Sequence, residues 1–280
     1  MPELVSRMKN SHILQKELSF EYHTIMECDL IEIDNVDLHN PIRLNYLDRL
    51  RLCLNIIQSK FPDPKDISIG DFACAQGNIG LSLAELGYNV FAVDINPVFI
   101  NYSKKKYEKG NIQWIVSEIS DLTIKPDSLD VVIIGELIEH CAYPEEIIKK
   151  ILEFVRVGGY VLLTTPNGSN IFNRLPTFAD VQRKSIRKKY EALQFGPAGR
   201  DHLFFFKLDE IKLIVPKSCT IEKCGYCGGT ILYNKITKSG MKVMPTRFLE
   251  NFPRSLSKIP IVNQKFCQNI YALVKKDSVE

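Results

Sequence analysis

From Ile67 onward, apolar runs of strand length alternate with stretches of helical periodicity. The runs are "ISIGDF" (67–72), "NVFAVD" (89–94), "IQWIV" (112–116), "LDVVII" (129–134), "YVLLTT" (160–165), "CTIEKCGY" (219–226) and "QNIYALVKK" (268–276). Runs such as "DVVII" carry no polar alternation, so they predict strands buried on both faces, the habit of a mostly parallel sheet covered by helices. The helices predicted between them are "GNIGLSLAELG", "PVFINYSKKKYEKG", "PEEIIKKILEFVRVGG" and "KLDEIKLIV". Most of these have a Pro near the start or a Gly at the end, the expected punctuation. The fold class is therefore α/β, a doubly wound seven-stranded sheet with helices on both faces. The long segment between the last two runs predicts that the seventh strand returns antiparallel.

Two segments stand outside the alternation. Residues 1–60 form an N-terminal extension with an amphipathic helix around "PIRLNYLDRLRLCLNIIQSKF", expected to cap the site, and residues 61–280 form the main domain. That domain carries a polar, Pro- and Gly-bearing excursion at 166–200 and a long connection at 228–265. Both the helix and the excursion are placed to cover the sheet's carboxyl edge.

Composition narrows the picture only a little. The 280 residues, 45% hydrophobic and 25% charged, suffice for one large core. A net charge of +3, from 36 Lys and Arg against 33 Asp and Glu, argues against nucleic-acid binding over the whole surface. "RKSIRKK", from Arg183 to Lys189, is the densest basic run, and at helical spacing reads as a solvated face. The first residues contain no uninterrupted apolar stretch, so neither a signal peptide nor a membrane span is expected, and the chain reads as cytoplasmic. Cys224 and Cys227 have the spacing of half a zinc site, but no second pair accompanies them, and packing within a strand is the preferred reading.

Candidate chemistry gathers where strands end. After the first run, "GDFACAQGNIG" places Asp71 at the strand end and small residues at 73, 75 and 77 before a helix begins. Small residues let backbone approach a ligand, and a helix N-terminus favours electron-rich groups. Asp94 closes the second run, where a carboxylate can accept both hydroxyls of a ribose. The GxGxxG turn of a nicotinamide dinucleotide and the GK[ST] of a nucleoside triphosphate site are both missing. The fourth run ends in "GELIEH", with Glu136, Glu139 and His140. If the chain turns helical there, the spacing puts all three on one face. Such a face could bind a metal, move a proton, or only start a helix.

These motifs resemble, in order and spacing, the class I S-adenosylmethionine-dependent methyltransferases, Rossmann-like enzymes, and especially the subgroup of ubiquinone-biosynthesis O-methyltransferases. The resemblance is good over about residues 60–165 and moderate over 200–230. It implies S-adenosylmethionine as cofactor, held by Asp71, Ala73, Ala75, Gly77, Asp94, Ile95, Glu118, Ile119 and Gly135. The family's first motif reads Asp-x-Gly-x-Gly-x-Gly, so Ala73 and Ala75 stand where it has glycines. Positive φ at either position would strain this chain. The resemblance further implies a methyl acceptor that is a small molecule or glycan with a reactive hydroxyl, and a catalytic cluster of Glu136, Glu139, His140 and His202 in "RDHLFFF". In some relatives similar residues bind a divalent metal, so the same four are candidate metal ligands. Two alternatives differ in kind: an RNA 2′-O-methyltransferase using that cluster as a metal site, and a non-catalytic cofactor-binding pseudoenzyme.

Overall fold

The computed structural model describes residue 19 and residues 41–194, 202–230 and 260–279. Residues 1–18, 20–40 and 231–259, which hold most of the expected N-terminal extension and long connection, lie outside the described residues.

Helix α1 (Pro41–Lys60) leads into strand β1 (Ser68–Phe72). Three strand–helix units follow: α2 (Asn78–Glu85) and β2 (Asn89–Asp94), α3 (Pro97–Lys106) and β3 (Asn111–Val116), then β4 (Leu129–Gly135), α4 (Pro144–Phe154) and β5 (Val155–Pro166). The excursion contributes α5 (Phe178–Val181) and α6 (Lys184–Glu191), and the chain closes with β6 (Cys219–Thr230), α7 (Pro260–Phe266) and β7 (Cys267–Lys276). All seven strands form one sheet in the order β3-β2-β1-β4-β5-β7-β6. The first five pair in parallel, and β7 lies antiparallel between β5 and β6.

The sheet order explains the patterning. Six of the seven residues of β4 are buried, because β4 lies in the middle of the sheet with helices over both faces. Val131 and Ile133 point into one core layer with Leu47, Leu50, Leu54 and Ile57 of α1 and Leu83 of α2. Val132 and Ile134 point into the other, with Ile148, Ile151 and Leu152 of α4 and the Phe178, Phe204 and Phe206 cluster. Edge strand β3, by contrast, has exposed positions.

Two elements differ from expectation. The helix expected over "PEEIIKKILEFVRVGG" stops at Phe154, and Val155 already pairs with Leu129. A Cβ on Gly159 would lie 2.8 Å from the Asp130 carbonyl, so the "VGG" segment lets β5 pass close to β4 at a register shift. "KLDEIKLIV" makes a 3₁₀ helix over Leu208–Leu213 rather than an α-helix.

The strand order reverses direction between β1, which leads to β2 and β3, and β4, which leads to β5. A crevice opens at the carboxyl ends of such a pair. No helix among the described residues is long and apolar enough to cross a membrane.

Candidate active site

The turn after β1 is built from three left-handed residues: Ala73 (φ 55°), Ala75 (φ 45°) and Gly77 (φ 75°). Alternate positive φ values curl the backbone tightly, with the Cys74, Ala75 and Gly77 amides donating to the Val93 carbonyl, the Asp94 carboxylate and the Cys74 carbonyl, and this is the geometry glycine supplies without strain. At Gly77 nothing larger fits, since a Cβ would meet Ser103 Oγ at 2.3 Å. At 73 and 75 the chain adopts the same geometry with alanine.

Two buried aspartates hold the turn. Asp71 Oδ2 accepts from the Gly80 amide (2.7 Å), tying β1 to the first turn of α2. Asp94 Oδ2 accepts from the Ala75 amide and Oδ1 from the Asn96 amide, both at 2.8 Å. Burial pushes the Asp71 carboxyl up to about 7, against the lowering effect of the Gly80 N–H and with a smaller push from the Asp94 charge. Burial also raises Asp94, opposed by its two amide donors. Each Asp94 oxygen has a second lone pair for a ligand hydroxyl.

Around this crevice Ile95 is 57% exposed and Val116 51% exposed, two apolar side chains at neighbouring strand ends. Glu118 is exposed at the start of a 3₁₀ turn, and Ile119 is half-buried against the core. Of the nine expected cofactor residues, Asp71, Asp94 and Gly135 lie at or near the ends of β1, β2 and β4, and the other six lie on the turns that follow β1, β2 and β3. Val116 has no motif of its own, and only its pairing with Asp94 at the end of β3 draws attention to it.

"GELIEH" does not form an α-helix. Glu136 is left-handed (φ 56°), and a 3₁₀ turn spans Ile138–His140, so the expected common face is broken. The residues separate into two groups. Glu139 is fully buried; its Oε2 accepts from Thr165 Oγ1 (2.9 Å), while its Oε1 makes no hydrogen bond and lies 3.9 Å from His202 Nε2. The His140 and His202 rings are 4.8 Å apart, and Glu139, His140 and His202 each offer a ligand atom within 4.8 Å of the others. Burial raises the Glu139 carboxyl well above the usual range, and the Glu136 charge adds to this. The backbone fixes the pairing, because the Leu203 amide donates to the Glu139 carbonyl (2.9 Å) and brings "DHLFFF" to the end of β4.

Glu136 turns the other way. Its carboxylate accepts from Thr164 Oγ1 (3.0 Å) and Asn269 Nδ2 (2.6 Å) and pairs with Arg49 (3.3 Å). It lines a cavity of about 400 Å³ together with Asn45, Phe172, His202, Phe205 and Asn269. The structure therefore brings three of the four candidate ligands together and leaves Glu136 beside them. Arg49, Thr164, Thr165 and Asn269 were missed by sequence reasoning; the threonines end an apolar run, which is a faint signal, and the other two give none.

The cysteine pair divides: Cys224 is exposed and Cys227 buried on β6.

Residues 70–163 match a family model described as a methyltransferase domain. A ubiquinone biosynthesis O-methyltransferase of Rickettsia bellii is 31% identical over 130 residues, covering 46% of this chain and 51% of that one. The chain thus spans about half the length of the curated relatives it matches. A crystal structure of an S-adenosylmethionine-dependent methyltransferase described as putative, from Listeria monocytogenes, is 14% identical with a TM-score of 0.53, covering 82% of this chain and 99% of that one. Magnesium protoporphyrin IX methyltransferase from Synechocystis, solved with bound SAH, is 11% identical with a TM-score of 0.54, covering 95% and 99%. The sheet order and the matched domain define a class I S-adenosylmethionine-dependent methyltransferase fold. Within that class the chain resembles the ubiquinone-biosynthesis O-methyltransferases over the half that carries the cofactor turn.

Proposed function

We propose that the protein transfers a methyl group from S-adenosylmethionine to a hydroxyl of a small-molecule or glycan acceptor. The observation that carries this reading is the adjacency, at Gly135–Glu136, of the turn built on Asp71 and Asp94 and a cavity lined by Glu136 and His202, with His140 and the buried Glu139 clustered against His202.

S-adenosylmethionine, when bound, supplies a methyl on a cationic sulfur that needs no further activation. The chain's residues then bind, align and remove a proton. Asp94 takes the ribose hydroxyls on its remaining lone pairs, and Ile95, Val116 and Ile119 flank the adenine, with Glu118 at its amine. His202 Nε2 accepts the proton of the acceptor hydroxyl, and Glu139 Oε1 lies 3.9 Å from that nitrogen. A second reading rests on the same cluster. Two imidazoles and an unpaired carboxylate oxygen within 4.8 Å suit a divalent cation, so Glu139, His140 and His202 would hold it, and its chemistry would be to acidify the hydroxyl as a Lewis acid.

Calorimetric titration with S-adenosylhomocysteine tests the cofactor half; absence of binding overturns the proposal. Asp94→Ala is expected to weaken binding by roughly 1 to 3 kcal/mol through lost charge-assisted hydrogen bonds. Turnover in the presence of a chelator separates the two readings of the cluster. Loss of activity restored by Mg²⁺, Mn²⁺ or Zn²⁺ makes the three residues ligands, and indifference to the chelator leaves His202 as the base.

A further inference from the structure

Glu136 holds a conformation that L-residues avoid, on the wall of the acceptor cavity, and side chains from three separate elements fix its carboxylate there. Thr164 comes from β5, Asn269 from β7 and Arg49 from α1. Strained backbone persists where the surroundings over-determine it, and that happens most often at binding sites. An ionised carboxylate has about four acceptor directions, so three protein donors leave one unfilled. The side chain keeps 22% exposure, on the cavity side.

Arg49 is itself held in place. Its guanidinium lies 5.3 Å over the Tyr46 ring, and the Tyr46 hydroxyl accepts from Asn78 Nδ2 (2.8 Å) at the start of α2, beside the cofactor turn. The cavity lining holds no lysine or arginine among the described residues. Arg49 supplies the balancing charge for Glu136, and of the described lining residues only His202 can become cationic, which on the methyl-transfer reading starts as the neutral base.

Resting on the methyl-transfer reading, we infer that Glu136 is a specificity residue that accepts one hydrogen bond from an uncharged, hydroxyl-bearing acceptor, and that Arg49 is its positioning residue. Phe172 and Phe205 supply apolar surface for the body of that acceptor. Acceptors bearing a carboxylate or phosphate at this point are rejected by the Glu136 charge.

The test uses the full chain saturated with S-adenosylhomocysteine and three probes: catechol, methyl glucoside and dihydroxybenzoate. Catechol and the glucoside represent aromatic and sugar hydroxyls, and dihydroxybenzoate is the anionic counterpart of catechol. The wild type is expected to bind at least one neutral probe and to prefer catechol over dihydroxybenzoate. Glu136→Gln should weaken the neutral probe by about tenfold or more and shrink the discrimination against the anion. Arg49→Met should weaken it similarly, and Arg49→Lys should recover part of the loss, while all three variants keep their affinity for S-adenosylhomocysteine. Failure of both neutral probes to bind overturns the inference, as does equal binding of the anion or an unaffected Glu136→Gln. An Arg49→Lys variant no better than Arg49→Met overturns the positioning role. If the wild type does not bind S-adenosylhomocysteine, the methyl-transfer reading falls, and the same probe series on the cofactor-free chain decides the inference by the same criteria.

Discussion

Ala73 and Ala75 sit at φ 55° and 45°, where an L-residue with a Cβ costs about 1 to 2 kcal/mol relative to the right-handed region. The cost is tolerated because both ends of the turn are tied: the Ala75 amide to Asp94, and the neighbouring Cys74 amide to the Val93 carbonyl at 3.0 Å. Glycine at either position relieves the strain but gains freedom in the unfolded chain, and the strain is the larger of the two at positive φ. Ala73→Gly and Ala75→Gly should therefore each stabilise the protein by about 1 kcal/mol, read as a higher urea midpoint at unchanged slope. A lower midpoint in both would mean that the turn is not left-handed at these positions. The same strain bears on the pseudoenzyme alternative: the turn keeps its left-handed geometry despite the alanines, so the substitutions alone give no reason for cofactor binding to be lost.

At the scale of elements, α1 is the clearest case of periodicity converted into packing. Leu47, Leu50, Leu54 and Ile57 repeat at intervals of three and four, and all four are buried in the layer that also holds Ile69, Val131 and Ile133. Leu50 is 1% exposed, so Leu50→Ala should cost about 2 to 5 kcal/mol in a urea or thermal unfolding experiment. A loss below about 1 kcal/mol would show that the helix is not docked on the sheet. The strands were legible for a related reason. Continuous apolar runs ending in Asp71, Asp94 or Gly135 leave few alternatives to buried parallel strands, and β2 has the predicted bounds of 89–94. "GELIEH" was legible only as a place. Its residue types mark a strand end with chemistry, but its conformation depends on contacts with Thr164, Asn269 and Arg49, which are distant in sequence. Helical spacing is a local argument, and here long-range hydrogen bonds to one carboxylate override it. The division of the four expected site residues into a Glu139–His140–His202 cluster and a separate Glu136 could not be read from the local pattern.

For the molecule as a whole, a formal charge of only +3 means that pH should act on stability through particular buried groups more than through general repulsion. Burial raises Asp71, Asp94 and Glu139 above their ordinary values, Asp71 to about 7. In the unfolded chain an aspartate titrates at about 4. As pH rises from there, the unfolded state releases the Asp71 proton while the folded state retains it until about 7, so the unfolded state binds fewer protons and the stability of the fold declines. The contribution is thus fully present below about pH 4 and lost as pH passes through about 7, by an amount on the order of a few kcal/mol from Asp71 alone. Asp94 and Glu139 push in the same direction. Asp71→Asn keeps an oxygen to accept from the Gly80 amide but cannot ionise, so it isolates the effect. Urea unfolding of the cofactor-free protein at pH 5 and pH 8 should show a wild type that loses stability across the interval and an Asp71→Asn protein that loses clearly less, keeping only the slope from the other two carboxyls. Parallel losses in the two proteins would show that Asp71 is ionised in the folded state throughout, and that the turn after β1 is wetter than its burial indicates.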